Sequence, residues 1–252
     1  MRADLLGIAA ILLLSLGCAS TPVVGRTAEG AEIVQIPLRL SNVYLIKSRA
    51  PILVDSGTYG DMRDLERALT ENGVRLRDIR LVVVTHAHAD HAGLAADLHQ
   101  LTGAKIVLGA GDVTQAATGK NDDLKPTSFI ARVAKPTIPS NFPEFAPDLP
   151  VSEPLALAPW GVDGRVVQMP GHTPGSVVLI LANHTAFVGD EMLGGWYGGA
   201  FFPKSPGEHY YQADPVQNWQ NIATLVHQGI ETFYLGHGGP VSRADVIAAF
   251  GL

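Results

Sequence analysis

The sequence predicts an α/β fold in which short buried strands alternate with amphipathic helices, and three observations carry that reading. Apolar, β-branched runs recur along the chain. Segments with a helical apolar period and recognisable start and stop residues separate them. Of the 252 residues, 46% are hydrophobic and 17% charged, enough for a large core in one domain or two small ones. Ile33 to Ile36, Val43 to Lys47 and Ile52 to Val54 read as the first strands, the last two joined by a turn at Ser48-Arg49-Ala50-Pro51. Asp61 is placed to cap a helix in which Met62, Leu65, Ala68 and Leu69 keep the helical period, and Gly73 stops it. Leu81 to Val84 is continuously apolar, the pattern of a strand covered on both faces. A second helix is expected from about Asp90 to Thr102, burying Leu94, Leu98 and Leu101 ahead of Gly103, and Ile106 to Leu108 resumes the strands.

The composition then changes. Between Lys125 and Pro159 stand eight of the 17 prolines, with Phe129, Phe142 and Phe145 among them. That density forbids regular helix and central strand, so the segment reads as an extended crossover, either the wall of a pocket or a structural linker. Strands follow at Val166 to Gln168, Val177 to Leu181 and Ala186 to Val188, and then a Gly-rich aromatic segment from Gly194 to Phe202. Asp214-Pro215 starts a helix whose buried stripe is Val216, Trp219, Ile222, Leu225 and Val226, with Gly229 at its end. Phe233 to Leu235 is the last strand, and Ser242 with Asp245 forms a capping-box start for a short closing helix.

The N-terminus stands outside this pattern. Met1-Arg2 give a positive start, and the apolar run from Leu5 to Leu16 is shorter than the ~20 residues of a spanning helix. The run ends at Gly17-Cys18, and this segment resembles a bacterial lipoprotein signal, which implies lipidation of Cys18. The division expected is a signal peptide over 1–17, a tether over 18–30 and a globular domain over 31–252. The mature protein would be exported as a cell-envelope lipoprotein on the periplasmic side, at the outer membrane, or secreted if the segment is an ordinary cleaved signal. Cys18 is the only cysteine, so no internal disulfide is possible. A net charge of −6 disfavours a nucleic-acid partner and leaves small-molecule substrates open.

The densest chemical signal is Thr85-His86-Ala87-His88-Ala89-Asp90-His91, directly after an apolar strand. Neutral imidazole and carboxylate are ligands for borderline divalent metals, and so close a cluster of them is costly without a cation. Three further candidates occupy the same kind of place, just beyond the carboxyl end of an apolar strand: His172 after Pro170-Gly171, Asp190 after Gly189, and His237 after Gly236. Ligands gather outside the carboxyl ends of strands in layered α/β proteins, so the four segments can converge on one point. A lone His or Asp beside glycine is usually a turn residue; the joint placement makes the case.

Taken together, His86-x-His88-x-Asp90-His91, Gly171-His172-Thr173-Pro174-Gly175-Ser176, Gly189-Asp190 and Gly236-His237-Gly238 resemble the metallo-β-lactamase superfamily, as do the early Asn42-Val43-Tyr44-Leu45-Ile46 and Val54-Asp55-Ser56-Gly57. The resemblance implies a four-layer αββα sandwich, two mixed sheets packed together with helices outside. It also implies a site for two metal ions, usually zinc, with iron and manganese as the alternatives that accept the same donors. On that pattern His86, His88 and His172 hold the first ion, Asp90, His91 and His237 the second, and Asp190 bridges them. Two such cations ~3.5–4 Å apart share a hydroxide that attacks a carbonyl. Asp90 is the catalytic residue expected to orient it and pass a proton to the leaving group. Asp55 is implied to position a ligand.

A bridging Asp190 resembles the glyoxalase II, lactonase and phosphodiesterase branches; true metallo-β-lactamases typically lack it. His88 stands where diiron flavoproteins of this family carry Glu, which favours hydrolysis over oxygen reduction. Processing nucleases share the bridging Asp, but an exported acidic protein suits RNA poorly. The 15 residues after His237 leave room for one short helix rather than the C-terminal helical domain of glyoxalase II, which counts against glutathione thioesters. Tyr197, with Trp196, Phe201, Tyr210 and Tyr211, is a candidate for the substrate pocket. His99, His184, His209 and His227 read as surface or packing residues, His209 being the strongest exception because it follows the Gly-rich loop. The expected function is thus metal-dependent hydrolysis of an ester, lactone or thioester. A β-lactamase and a non-catalytic metal-binding lipoprotein scaffold are the alternatives.

Overall fold

The computed structural model describes residues 22–252, so the expected leader over 1–17 and Cys18 lie outside the described residues. Among those described, no helix is long and apolar enough to cross a membrane. The first half of the chain builds a seven-stranded mixed sheet. Strands β1 (Val23–Arg26), β2 (Glu32–Pro37), β3 (Asn42–Ile46) and β4 (Ile52–Val54) meander antiparallel. After α1 (Met62–Glu71), β5 (Leu81–Val83) pairs parallel with β4. After α2 (Ala95–Thr102), β6 (Lys105–Gly109) pairs parallel with β5. A long crossover containing α3 (Val113–Thr118) and α4 (Phe129–Ala134) leads to the edge strand β7 (Leu149–Val151).

The second half opens with β8 (Leu155–Ala156), β9 (Gly164–Gln168), β10 (Val177–Leu181) and β11 (Thr185–Gly189), all antiparallel neighbours. A two-stranded ribbon follows, β12 (Leu193–Trp196) with β13 (Phe201–Gly207), belonging to neither large sheet. Helix α5 (Pro215–His227) then returns the chain to β14 (Thr232–Leu235), parallel to β11, and β15 (Val241–Ser242) and α6 (Arg243–Phe250) close the fold.

Period-two alternation decides how these elements stack. Tyr44, Ile46, Leu81 and Val83 point between the sheets and meet Val166, Leu179, Phe187 and Tyr234. Their neighbours Leu45, Leu53 and Val82 point outward onto Leu65 and Leu69 of α1 and Leu98 of α2. On the other side Val178, Ile180, Val188 and Phe233 meet Ile222, Leu225 and Val226 of α5 and Val246 of α6. Three apolar interfaces separate four layers, the αββα sandwich expected.

Four local expectations need correction. The tether over 18–30 is in part structured, because β1 covers the edge of β2 and leaves no long open strand there. Helix α2 begins at Ala95 rather than Asp90, since residues 90–94 turn away, tied by His91 and Ala92 N–H groups to the His88 carbonyl; Leu101 is exposed. The Pro-rich crossover does contain a helix: α4 occupies the gap between Pro126 and Pro136, with Ser128 capping the Ala131 N–H. In α5, Val216 and Trp219 face solvent while Asn218 and Asn221 turn inward. Their side-chain N–H groups donate to the Glu191 carbonyl at 2.6 Å and the Pro170 carbonyl at 2.9 Å, which satisfies the buried amide donors.

Candidate metal centre

The four motif segments meet at one edge of the sandwich, where backbone hydrogen bonds lace the two sheets together. Val177 N–H donates to Thr85 O at 2.8 Å and Asn42 N–H to Gly236 O at 2.7 Å. Two glycines permit the convergence. Gly189 turns the chain at φ +53° just before Asp190, a conformation that suits glycine. A Cβ at Gly236 would fall on Asp190 Oδ1 and within 2.6 Å of His91 Cε1, so only glycine fits there.

All seven predicted ligands come together. His172 Nε2 lies 3.1 Å from His88 Nδ1, and His86, His88 and His172 present one donor atom each within 4.8 Å of one another. Asp90, His91 and His237 form a second such group, with Asp90 Oδ2 at 3.7 Å from His91 Nε2 and 3.4 Å from His237 Nε2. Asp190 Oδ2 stands between the trios, 3.9 Å from His86, 3.8 Å from His172, 3.4 Å from His91 and 3.2 Å from His237, each distance to Nε2. Six of the seven are buried; Asp90, its side chain 20% exposed, opens toward solvent.

These residues fit a divalent metal pair on their own chemistry. Nε2 of His86 and of His91 and Oδ1 of Asp190 are buried with no hydrogen-bond partner, a cost that a cation would remove. The far nitrogens are all engaged. His91 Nδ1 donates to Asp55 Oδ2 at 2.9 Å, His237 Nδ1 to Leu40 O at 2.9 Å and His172 Nδ1 to Tyr211 O at 2.8 Å. Thr85 Oγ1 lies 3.1 Å from His86 Nδ1. Such partners fix the ring orientation of metal-binding histidines. Asp55 sits where expected and does two jobs: it also accepts from the Thr85 N–H at 2.7 Å, and it holds φ +64° to reach both.

Electrostatics divides the trios. Burial and the surrounding imidazoles push His86 and His172 well below the usual imidazole range, leaving neutral rings with free lone pairs. Against the cost of burial, Asp190 and Asp90 raise His237 to about 10, and Asp190 with Asp55 raises His91. The same pairing outweighs burial at Asp190 and Asp90 and keeps both carboxylates ionised.

Two site residues, Asp112 and Asp122, escaped the reading of the sequence, and a third, His209, was only half read. Asp112 is buried and ties two ligand loops, Oδ2 accepting from Ala87 N–H at 2.9 Å and Thr173 Oγ1 at 2.7 Å, and Oδ1 from Gly175 N–H at 2.7 Å. It follows β6 through Gly109-Ala110-Gly111, so the strand-end rule applied to every strand would have found it. Asp122 Oδ1 lies 2.8 Å from His88 Nε2, directing Nδ1 inward; it stands in a loop with no local signal. His209, read as packing with a reservation, is buried with Nε2 at 3.1 Å from Asp190 Oδ2. His184 and His227 lie away from the centre, and His99 is 3.4 Å from Asp148. The Pro-rich crossover packs against the segment that carries His209: Thr127 N–H donates to Tyr210 O at 2.9 Å and Tyr211 Oη to Ala131 O at 2.9 Å. Tyr197 is on the ribbon's exposed tip, against Phe201.

Comparison with known proteins agrees with this geometry. The profile of the metallo-β-lactamase superfamily matches residues 36–195, and the chain belongs to that superfamily. A probable metallo-hydrolase of Methanocaldococcus jannaschii is 27% identical over 198 residues, 79% of this chain and 87% of that protein. A hydroxyacylglutathione hydrolase of Haemophilus influenzae is 26% identical over 181 residues, 70% of this chain and 78% of that protein. Among solved structures, a subclass B3 metallo-β-lactamase of Bradyrhizobium japonicum superposes with a TM-score of 0.62 at 19% identity, covering 88% of this chain and 87% of its own. That likeness concerns the fold.

Proposed function

We propose that this protein is a metal-dependent hydrolase that cleaves a small-molecule ester, lactone or thioester at a two-metal, zinc-type centre. One observation carries the reading: Asp190 Oδ2 stands within 3.9 Å of ligand nitrogens from both trios, where one carboxylate can serve two cations. His86, His88 and His172 would hold one ion and Asp90, His91 and His237 the other. Zinc bound there supplies Lewis acidity at a carbonyl and an acidified attacking water. The chain's own residues do the rest. Asp55, Asp112 and Asp122 hold the ligands in place. Asp90, the one candidate ligand that is not fully buried, is positioned to hold a proton at Oδ2 and hand it to the leaving atom. The ribbon bearing Trp196, Tyr197 and Phe201 would receive the non-reacting part of the substrate. The similarity to hydroxyacylglutathione hydrolases supports a thioester within this class. Export, with Cys18 carrying a lipid anchor, belongs to the same proposal.

The test is metal analysis together with turnover of an ester, lactone, thioester and β-lactam panel. The proposal expects two metal ions per chain and chelator-sensitive turnover of at least one ester, lactone or thioester. Preferential turnover of nitrocefin would make it a β-lactamase instead. Two bound ions with no chelator-sensitive turnover would leave a metal-binding scaffold.

A further inference from the structure

His209 belongs to neither trio, yet it is built into the centre in the same manner as His172. Its Nε2 is 3.1 Å from Asp190 Oδ2, nearer than His172 Nε2 at 3.8 Å. The two rings meet edge to face with centroids 4.7 Å apart. Both are anchored on one atom: His172 Nδ1 lies 2.8 Å and His209 Nδ1 3.1 Å from the Tyr211 carbonyl oxygen. A carbonyl oxygen has two lone pairs and can accept an N–H from each ring. An imidazole that donates Nδ1–H to a backbone carbonyl keeps its lone pair on Nε2, the arrangement in which histidines bind metals. Tyr211 therefore orients two imidazoles alike, and both aim their free nitrogens at the same carboxylate. His172, Asp190 and His209 bring one donor atom each within 4.8 Å of one another.

We infer that His209 is an additional metal ligand, delivering Nε2 to the cation held by His172 and Asp190. That cation would then draw on a nitrogen donor beyond His86, His88 and His172, and its coordination number would exceed four, which zinc tolerates. The opposite tautomer supplies the competing arrangement. The Tyr211 N–H is 3.3 Å from His209 Nδ1, and if it donated there, Nε2–H would donate to Asp190 and His209 would only position it.

The inference rests on the metallo-hydrolase reading for the presence of a cation, and the experiment separates the two. Nitrogen-15 NMR of histidine-labelled, zinc-loaded full chain reports which ring nitrogens are metal-bound. The expected set is His86, His88, His91, His172 and His237 plus His209. A set without His209 overturns this inference and leaves the metal centre intact. No zinc-bound histidine at all overturns the metallo-hydrolase reading itself. A second measurement uses His209→Ala and His209→Gln in competition with a chelator. Both variants are expected to bind zinc ~10–100-fold more weakly. Wild-type affinity in His209→Gln, whose amide can donate to Asp190 but is a poor nitrogen ligand, would make His209 a positioning residue and overturn the assignment.

Discussion

The floor of the site and its rim are built in contrasting ways. The floor consists of side chains projecting from the ends of β5, β9, β11 and β14, strands inside the two large sheets, and its histidine rings are held by partners behind them. The rim is a ribbon outside both sheets, with Trp196 69%, Tyr197 78% and Phe202 74% exposed. A cluster of like imidazoles and carboxylates must be held at distances set by a cation, and only a close-packed scaffold holds them so. Substrate recognition needs apolar surface at the mouth and tolerates change. On the proposed reading the two parts could therefore vary independently, the sheets carrying the reaction and the ribbon the selectivity.

The sharpest break of this contrast is on the floor. Asp190→Ala removes the carboxylate that both trios share and leaves His237 and His91 without their principal counter-charge. On the two-metal reading at least one ion should be lost, and hydrolysis should fall by more than ~100-fold, since even outer partners of metal ligands are worth that much. Metal content by plasma mass spectrometry and turnover on the same sample check it; unchanged values for both would end the shared-carboxylate reading. A step smaller is Asp55→Asn, which weakens the support of His91 and of the Thr85 N–H while leaving every ligand present. Zinc affinity should drop ~10–100-fold. The chelator-treated protein should also melt earlier, because a buried hydrogen bond is compromised at a cost of ~1–3 kcal/mol.

Floor and rim also differed in how legible they were. The convergence of the candidate ligands could be read because a metal site demands particular residue types, and because strand ends announce themselves by an apolar run followed by glycine, as at Val188-Gly189-Asp190 and Leu235-Gly236-His237. Leu81 to Val83 was legible as a strand covered on both faces, whereas the four-layer stack was what the family resemblance implied. Partners contributed by tertiary approach were not. Asp122 acts on His88 across 34 residues and His209 reaches Asp190 across a ribbon, with no periodicity linking either pair. In α5 the helical stripe was misplaced by its first turn, because Asn218 and Asn221 bury themselves against carbonyls that sequence pattern does not reveal. Proline density misled in the opposite direction: it marked the crossover but hid α4, which fits between two prolines.

Two smaller effects probe the boundary between the regions. Asp122→Asn keeps an oxygen that can still accept from His88 Nε2 and lies at the partly exposed edge of the floor, so zinc affinity should fall by about tenfold at most, at the low end for such partners. Trp196→Ala lies wholly on the rim. Its side chain is mostly in solvent and its backbone pairs across the ribbon with Phe201, so unfolding stability should change by no more than ~0.5 kcal/mol. Metal content should stay as in the wild type. KM for substrates with a large apolar group should rise several-fold while kcat holds, because the lost contact binds substrate and transition state alike. A fall in metal content or in kcat would mean that the ribbon helps to shape the floor, through the stretch where Gly194 N–H donates to His237 O at 2.8 Å and the chain at Gly198 passes beside the His237 ring.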